Sequence, residues 1–541
     1  MLVRRTEDPA YWQRFRPDRA DLQYVAELIR ETGRPMYLEE LARAVVYRRV
    51  HEERERIRRL VERGRFYRPA DRYELNEEVI FPVLDYAVGV VVGKRPGRWP
   101  GHPPFEVIQV QLGETVREFA AAYAEPHKLN ELEFQATQSG EGMTPAAIYE
   151  QLATSVPAAL RAALAADTEF GFVSLGRRWF LRALMPEVHV GYLNLAEAVI
   201  DVAWEQAAQT GGGQRPLTTE EILEQIELPG PSQAANAFAL ALALSQDERF
   251  IDVGDGEQHL WLLRRLVPSH ALQKPERLQY QPVSYSPEAL PTEMLELIWG
   301  VVDELSTMEV PPERRARESG EVTFALPYPH RRAGTLPLAG AVAHLFPQRE
   351  DGVSVVTLLD ELNDEAITAW VVHKDRYVAS LAEWYERYQV PAGALLTVAR
   401  TARPDVLRIR YQQKRRTQRE YVRVAVVQGD RLTFEIRRMP MSVEFDETMI
   451  MLDDDPAESD RLWRAALANR KPFSQIVREV FGQLAQLSPQ GTVHFNTLYT
   501  AVNVIRRCPP EPLLAELALD WRYVVVGNGF FAMDERTGVK Q

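Results

Sequence analysis

The sequence contains a single cysteine, Cys508, and no long apolar run. One cysteine excludes internal disulfide bonds and zinc sites with several cysteine ligands, which is typical of a reducing compartment. The first residues contain acids, proline and arginine where a signal peptide needs an apolar stretch. Crossing a bilayer requires about 20 consecutive apolar residues, and the sequence has no such stretch. We therefore expect a cytoplasmic protein without a membrane segment.

Recognisable catalytic motifs are also missing. The chain has no Walker phosphate loop, no GxGxxG fingerprint, no HExxH pair and no GxSxG nucleophile motif. Asp453, Asp454 and Asp455 could bind Mg²⁺ together, but consecutive carboxylates on an exposed loop are far more often solvated. The sequence therefore predicts a protein that is not an enzyme, with no cofactor and no metal site.

The charge balance is acidic. The chain has 77 Asp and Glu against 64 Lys and Arg, a formal net charge of -13. Phosphate binding is driven by clustered Lys and Arg, so any contact with nucleic acid must be local. At 541 residues the chain is also too long for a single core, and several domains are expected.

One order of segments recurs along the chain: short helical stretches followed by two short apolar strands around a turn. We interpret it as the winged helix, a helix-turn-helix with an appended β-hairpin. Short helices followed by hairpins are common, and that is the alternative interpretation. The four predicted modules cover residues 20–78, 143–186, 193–268 and 458–536.

The first and last copies illustrate the pattern. In the first copy, Leu22, Val25 and Ile29 share a helical face, and Gly33 ends that helix. Second and third helices are predicted from the apolar spacing after it, and RGRFYRPADRYEL is the predicted hairpin. In the last copy, the sequence GNG from Gly527 supplies the residues that tolerate positive φ in a tight hairpin turn.

A β-rich segment follows the first module at 79–130. Short runs of Val, Ile and Phe alternate there with Gly-Pro turns, as in a small barrel. Through Phe81 and Pro82, Gly89 and the strands at 90–92 and 105–112, the segment resembles SH3-like or Tudor-like barrels. The resemblance implies a barrel of the kind found in some helicases and RNA-polymerase-binding proteins.

A second β-rich segment occupies 320–455, after a connecting helix predicted at 285–312. A short helix around Trp384 precedes a turn at Gly393 and a strand, an order that resembles part of a B3-type DNA-binding pseudobarrel. Ala394 stands where that family usually has Asp, and a generic β-barrel is the alternative. The expected fold class is α+β and multi-domain, with several winged-helix modules and two β-barrel-like inserts.

The densest basic stretch is RIRYQQKRRTQREYVR at 408–423. Apolar β-type sequence on both sides predicts a hairpin with the basic residues at its tip. Such a tip could bind phosphates through its arginines while two tyrosines stack on exposed bases. The alternative is a solvated hairpin neutralised by eight carboxylates in residues 444–460. The candidate nucleic-acid ligands are Arg408, Arg410, Lys414, Arg415, Arg416, Arg419, Arg423, Tyr411 and Tyr421.

The third helix of a winged helix usually enters the major groove. The predicted third helix of the first copy offers Arg54 and Arg58, but they alternate with glutamates, which more often makes intrahelical ion pairs. The third copy has the apolar QAANAFALALAL, which predicts burial against a neighbour, and the fourth has the acidic PEPLLAELALD. Most copies are therefore expected to serve protein contacts or internal packing.

The first copy resembles the acidic winged-helix module of the RNA polymerase delta subunit and its HARE-HTH relatives, through RPMYLEELARAV and the ending DRYEL. The resemblance implies protein contacts, with RNA polymerase among the possible partners. Two hypotheses follow: a non-enzymatic DNA-associated accessory or regulatory protein, linked to transcription, that contacts DNA or RNA through the basic hairpin and the first module; or a protein-interaction scaffold whose winged helices do not bind DNA. The oligomeric state is not predicted.

Overall fold

The computed structural model describes residues 5–63, 65–84, 87–100, 103–130, 143–210, 215–256, 258–308, 320–468 and 471–533. Helices and β-sheets are both extensive, so the predicted α+β class is confirmed. The chain forms two compact units: residues 1–188 with 227–242, and residues 189–226 with 243–541. None of the described helices combines the length and the apolar composition needed to cross a bilayer.

The first unit contains five helices and eight strands in its described residues, together with the beginning of a sixth helix that is introduced below. In chain order they are α1 (Pro9–Gln13), α2 (Arg19–Thr32), β1 (Met36–Tyr37), α3 (Leu38–Arg63), β2 (Arg65–Phe66), β3 (Glu78–Phe81), β4 (Ala87–Pro96), β5 (Glu106–Leu112), β6 (Thr115–Ala121), α4 (Pro145–Gln151), α5 (Val156–Ala166), β7 (Phe172–Leu175) and β8 (Arg178–Leu181). Short 3₁₀ helices lie at Arg5–Glu7, Pro82–Leu84 and Arg182–Leu184.

Local signals fix the ends of α2. The Asp18 carboxylate accepts a hydrogen bond from the Asp21 backbone N–H at 2.9 Å, and Asp18 N–H donates to the Asp21 carboxylate at 3.0 Å. This reciprocal capping satisfies two backbone donors at the start of the helix. At the other end Gly33 has φ +60° and donates its N–H to the Ile29 carbonyl, a conformation that glycine adopts without strain. The predicted stop at Gly33 is therefore confirmed.

The first two predicted modules are in fact one. Strand β1 pairs antiparallel with β8, with Met36 opposite Trp179, and β8 pairs with β7. The hairpin at 172–181 therefore completes the helices at 19–63, although about a hundred residues separate them. The separate modules at 20–78 and 143–186 were a wrong division, because hairpin and helices bury their apolar faces together.

The second and third helices predicted in the first copy form one continuous helix. Helix α3 has 26 residues and contains no Gly or Pro that would interrupt it. The helix that directly precedes the β7–β8 hairpin is α5. The predicted hairpin RGRFYRPADRYEL is absent as such, because β2 pairs with β3 instead and Asp71 to Leu75 form a loop and turn. The part of the delta-subunit resemblance that rested on DRYEL as a hairpin is therefore wrong.

Strands β2 to β6 form a five-stranded sheet in sequential order, inserted between α3 and α4. Its core is aromatic: the ring centroids of Tyr67 and Phe81 lie 4.8 Å apart, and Tyr73 is fully buried. A Cβ at Gly89 would lie 2.3 Å from Cγ1 of Val110, so only glycine fits where β4 approaches β5. The predicted β-rich segment at 79–130 contains four of these five strands.

The second unit contains the remaining elements of the described chain. They are α6 (Val190–Thr210), β9 (Leu217–Thr218), α7 (Thr219–Leu223), α8 (Gln233–Gln246), β10 (Phe250–Asp252), β11 (Leu260–Leu263), α9 (Ser269–Leu272), α10 (Leu295–Trp299), β12 (Glu321–Ala325), α11 (Tyr328–Ala333), β13 (Leu336–Pro337), α12 (Gly340–Ala343), β14 (Val353–Asp360), β15 (Ala366–Val372), β16 (Tyr377–Ala379), α13 (Ala382–Arg387), β17 (Leu395–Arg400), β18 (Val406–Tyr411), β19 (Gln413–Gln428), β20 (Arg431–Val443), β21 (Leu452–Asp453), α14 (Pro456–Ala468), α15 (Phe473–Leu487), β22 (Thr492–His494), α16 (Phe495–Ile505), α17 (Pro510–Leu519), β23 (Tyr523–Gly527) and β24 (Phe530–Met533). Short 3₁₀ helices lie at Arg264–Leu266, Glu276–Leu278, Pro287–Ala289 and Thr292–Met294.

The same order of elements occurs three times in the described chain: a helix, a short strand, two helices and a hairpin. In the first occurrence the two helices are α3 and α5, and the five-stranded sheet and α4 are inserted between them. In each case the short strand pairs with the last strand of the hairpin, giving the sheet orders β1-β8-β7, β10-β11-β9 and β22-β24-β23. We call these arrangements the first, second and third repeats.

Two of the predicted boundaries are wrong. Helix α8 begins in the first unit, where Ala235 and Phe238 join the apolar core, and ends in the second unit, so 193–268 is not one compact domain. The predicted connecting helix at 285–312 is reduced to α10 and short 3₁₀ turns, because two prolines, Pro287 and Pro291, interrupt the segment before Leu295. Residues 309–312 of that helix and 534–536 of the last module lie outside the described residues.

Seven strands, β12 to β18, form one sheet in the order β12-β17-β18-β14-β15-β16-β13 that curls into a half-barrel. Only the β14–β18 pair is parallel. The helix and strand predicted around Trp384 are present as α13 and β17. Gly393, between them, has φ +85°, and a Cβ there would lie 2.6 Å from the backbone nitrogen of Ile450.

Beyond this sheet the chain continues into the long antiparallel hairpin of β19 and β20. The pairing shifts register between Gln413 and Gln418, and the turn lies at Gly429 and Asp430. One face of the hairpin is apolar, where Val422 and Val424 pack with Met441 and Ile450. The opposite face, with Tyr421 and Ile436, is exposed.

Candidate nucleic-acid interface

The basic stretch lies at the base of the hairpin and not at its tip. Lys414, Arg415 and Arg416 fall in the register shift at the start of β19, while the turn at Gly429 is more than ten residues further on. The predicted charged tip is wrong because strand-forming sequence continues on both sides of the turn and lengthens the hairpin. Arg408 and Arg410 belong to β18 of the seven-stranded sheet.

Arg408 and Arg410 are held by two carboxylates, Glu321 at the start of β12 and Glu361 directly after β14. Arg410 Nη2 lies 2.6 Å from Glu321 Oε1, and Arg410 Nη1 lies 3.4 Å from Glu361 Oε2. Arg408 Nε lies 3.5 Å from Glu361 Oε1. A phosphate would have to displace these partners, so the two guanidiniums are poorly placed as nucleic-acid ligands.

Lys414 is also neutralised. Its Nζ donates to Glu420 Oε1 at 2.7 Å and lies 4.8 Å from the ring centroid of Phe445. Only 13% of its side chain is exposed. The ammonium therefore contributes to packing at the base of the hairpin and not to the free charge of the surface.

Arg423 is mostly buried. Its Nη1 donates to the backbone carbonyl of Glu447 at 2.7 Å. Burial lowers the pKa of this guanidinium, an effect that the nearby carboxylates of Glu447 and Asp446 oppose. Arg423 thus joins the hairpin to the following loop, and its side chain also lines a cavity.

Tyr411 belongs to the core, which corrects its predicted stacking role. It is 9% exposed, and its ring packs against Trp384 at 5.8 Å and Tyr388 at 5.3 Å between centroids. The alternation of β18 explains the position, because Leu407, Ile409 and Tyr411 share one face of the strand. A base cannot stack on a ring that is already covered.

Four guanidiniums at the base of the hairpin remain exposed. Arg415, Arg416 and Arg419 have no ion pair with any described residue, and neither has Arg438 on β20. Arg438 lies opposite Tyr421, and its guanidinium carbon is 5.7 Å from the centroid of that ring. Tyr421 is 71% exposed. We call Arg415, Arg416, Arg419, Arg438 and Tyr421 the basic patch.

Arg438 was not singled out from the sequence. The signal that could have found it is the strand RLTFEIRRM, which follows the basic stretch after the GD turn. In an antiparallel hairpin, residues equally distant from the turn lie opposite one another. Counting from Gly429 and Asp430 places Arg438 opposite Tyr421, as the structure has it.

The downstream acids do not cover the patch. Asp453 accepts from the Tyr328 hydroxyl at 2.7 Å and lies 3.4 Å from Arg332 Nε, and burial raises the pKa of its carboxyl group. Asp454 pairs with Arg437, and Asp455 caps α14 through the N–H groups of its first turn. Because each acid has its own partners, the three do not converge on a cation, and no group of three metal-ligating side chains occurs among the described residues.

Arg54 and Arg58, the candidates in the first unit, are both engaged. Arg54 Nη2 donates to the Met143 carbonyl at 2.7 Å, and Arg58 Nη1 lies 3.8 Å from Glu55 Oε1. Both belong to α3, which is not the third helix of the first repeat. That helix is α5, whose only basic residue is Arg161.

The third helices of the other two repeats are buried. In α8, Ala235 is 0% and Phe238 is 5% exposed. In α17, Leu513 and Leu514 are fully buried, and Glu511 Oε1 accepts from the Ser306 hydroxyl at 2.6 Å. A helix buried along this face cannot enter a DNA groove.

A cavity of about 490 Å³ lies beside the basic patch, between the hairpin and the third repeat. Tyr421, Arg423 and Ile436 line it from the hairpin, and His494 and Phe530 line it from the repeat. His494 Nδ1 accepts from the Asn496 N–H at 3.2 Å, and its ring lies 5.0 Å from that of Phe530. Burial lowers the pKa of His494, so the imidazole is neutral at pH 7 with Nε2 as the donor.

A serine and a histidine that sequence reasoning did not connect are also close together. Ser380 Oγ lies 2.9 Å from His270 Nε2 beside a cavity of about 380 Å³, and Ser380 has φ +82°. A serine nucleophile also needs its base to be oriented by a third group. In the described part of the chain no carboxylate bonds to His270 Nδ1, and the pair alone supports no catalytic assignment.

Comparison with protein-family models, with curated proteins and with solved structures finds no match for this chain.

Proposed function

We propose that this protein binds nucleic acid through the basic patch, by contacts with phosphates, and that it is a non-enzymatic accessory or regulatory protein. The observation that supports the proposal is the set of four exposed guanidiniums that have no carboxylate partner among the described residues, in a chain whose formal net charge is -13. Exposed arginines that lack partners can neutralise phosphates, and so release the cations condensed on the nucleic acid, without first breaking an ion pair.

The three repeats are, in this proposal, winged helices that act as supports and protein contacts. Two of the third helices are buried and the other has a single arginine, so reading of base edges in the major groove has no candidate helix. Binding is therefore expected to depend weakly on sequence, since phosphate contacts position a protein but do not specify bases. A link to transcription rests only on the remaining part of the resemblance, in α3.

Charge reversal tests the proposal. The variant R415E/R416E/R419E is compared with R98E/R117E/R161E, which changes the net charge by the same amount. The three control arginines lie in the first unit, are exposed and have no ion pair in the part of the chain that the structure describes. In mobility-shift titrations at low salt, the patch variant is expected to bind more weakly than the unaltered protein and the control to bind as the unaltered protein does. Equal behaviour of the two variants, or no binding by the unaltered protein, contradicts the proposal.

A specific observation favours the scaffold as the second candidate function. On the third repeat, Trp521 is 65% exposed and Val524, Val525 and Val526 are each about half exposed, on an edge strand of the sheet. Exposed apolar residues clustered on one element mark contact surfaces. If this surface is the functional one, partners captured from cell extract persist after nuclease treatment and disappear with V525D, while R415E/R416E/R419E retains them.

A further inference from the structure

We infer that the cavity between the hairpin and the third repeat binds an unstacked nucleobase, so that the ligand of the basic patch is single-stranded nucleic acid. This inference rests on the proposed function and specifies its ligand. The juxtaposition that supports it is an exposed tyrosine shared by the patch and the cavity, opposite a phenylalanine on the far wall.

The walls of the cavity offer aromatic faces. Tyr421 is 71% and Phe530 is 39% exposed, and both line the same space of about 490 Å³. That volume falls within the range of about 300–1,000 Å³ typical of sites for small organic groups. Bases stack on aromatic side chains in proteins that bind single strands, and Ile436, which is 46% exposed, supplies an apolar floor beside them.

The polar groups of the cavity match the edge of a base. Arg423 lines the cavity, and apart from the bond to the Glu447 carbonyl its N–H groups have no hydrogen-bond partner within the described part of the chain. His494 is fixed through Nδ1, and Nε2 has no hydrogen-bond partner among the described residues. These donors suit the carbonyl oxygens and ring nitrogens of a base, while the nearby Glu447 carboxylate suits an exocyclic amine.

The patch and the cavity are continuous along β19. Arg419 and Tyr421 are two residues apart and so lie on the same face of the strand, roughly 7 Å apart. A strand whose phosphates contact Arg415, Arg416 and Arg419 therefore passes the mouth of the cavity at Tyr421. A duplex keeps its bases stacked and paired inside, and unstacking one costs a few kcal/mol, so the cavity favours the single strand.

An acidic, tyrosine-rich protein segment is the competing ligand. It too could place carboxylates on the arginines and a ring in the cavity. Arg423 and His494 line the cavity, however, and the apolar face of a tyrosine or phenylalanine ring would offer no acceptor to their N–H groups. The observations therefore favour a base, which has acceptors around its edge.

The test uses the full chain and fluorescence anisotropy with labelled oligothymidylate and a mixed-sequence duplex of equal length. Y421A is expected to weaken single-strand binding roughly 5- to 150-fold, the equivalent of about 1–3 kcal/mol for one stacked base. Its salt dependence is expected to stay unchanged because no charge is removed. I436W, which fills the cavity without altering charge, is expected to act in the same direction, while Y421F and the distant W521A retain binding.

The possible results distinguish a failure of the proposed function from a failure of the cavity inference. If the unaltered protein binds neither probe, the proposed function fails and this inference fails with it. If it binds both probes equally, and neither Y421A nor I436W alters single-strand binding, the cavity inference alone fails. Tighter binding of a glutamate-tyrosine copolymer than of oligothymidylate, lost in Y421A, would assign the cavity to a protein ligand and overturn the inference.

Discussion

Arg507 and Asp303 form a two-pronged ion pair in the interior of the second unit. Arg507 Nη1 donates to Asp303 Oδ2 at 2.8 Å and Nη2 to Asp303 Oδ1 at 2.5 Å, with both side chains at most 1% exposed. Nη2 also reaches Glu304 Oε2 at 2.7 Å, and the Tyr499 hydroxyl donates to Asp303. The pair thereby joins the segment before β12 to the end of α16.

Removing one member of this pair is expected to destabilise the protein strongly. R507M leaves two buried carboxylates without their cation, and breaking a buried pair in this way typically costs about 3–5 kcal/mol. Urea unfolding measures the loss. The matched control is R403M, which breaks the exposed pair with Asp405 and is expected to change the free energy of unfolding by less than about 1 kcal/mol. Equal losses for the two variants would contradict the buried arrangement.

The stability of the second unit should fall in acid. Burial acts to raise the pKa of the Glu304 carboxyl, but the Arg507 guanidinium and the hydrogen bond with His330 outweigh it and lower the pKa. A group with a lowered folded pKa stabilises the fold above its unfolded pKa, and the contribution is lost as the pH falls from about 4.3 toward the folded pKa.

Unfolding of the protein and of E304Q between pH 7 and pH 3 checks this expectation. E304Q is less stable at pH 7, but its stability should decline less steeply below the usual glutamate pKa of about 4.3. Parallel profiles for the two proteins would show that Glu304 does not contribute to the acid sensitivity.

The single thiol should be unreactive in the folded protein. Cys508 is fully buried, and burial raises the pKa of the thiol well above its usual value, although Arg507 and Arg506 act in the opposite direction. Since the thiolate is the reactive form, a disulfide reagent at pH 8 is expected to label no thiol natively and one after denaturation. Rapid labelling of the folded protein would place Cys508 at an accessible surface.

Gly393 should not tolerate a side chain. A Cβ there would lie 2.6 Å from backbone atoms of Met449 and Ile450, and φ is +85°. G393A is therefore expected to cost more than about 1 kcal/mol in thermal unfolding. G482A is the control, because a Cβ at Gly482 meets nothing within 4 Å, and a helical Gly to Ala change there is expected to be neutral or stabilising.

Local patterns in the sequence predicted where single helices and strands lie better than they predicted which strands pair with one another. Gly33 ends α2 and Trp384 lies in α13, because capping and apolar spacing act within a few residues. The pairing of Met36 with Trp179 could not be predicted in this way, since it spans the inserted five-stranded sheet. Pairing across an insertion depends on which buried faces meet, and local spacing does not contain that information.

The candidate site was predicted in composition but not in geometry. Arg415, Arg416, Arg419 and Tyr421 are exposed as a nucleic-acid surface requires, whereas Arg410 is bound by Glu321, a residue almost ninety positions earlier in the chain. Counting charges along the sequence does not show which carboxylates the fold brings from distant strands to a given arginine. The burial of Tyr411, in contrast, could have been predicted from the sequence, because the alternation of a strand places Tyr411 on the same face as the apolar Leu407 and Ile409.

The salt dependence of nucleic-acid binding tests the central claim most directly. Each phosphate contact contributes about -0.7 to the slope of log K against log salt for a single strand. We expect R415E/R416E/R419E to reduce the magnitude of the oligothymidylate slope by about 2 relative to the unaltered protein, and R98E/R117E/R161E to leave it unchanged. Identical slopes for all three proteins would contradict phosphate binding by the basic patch.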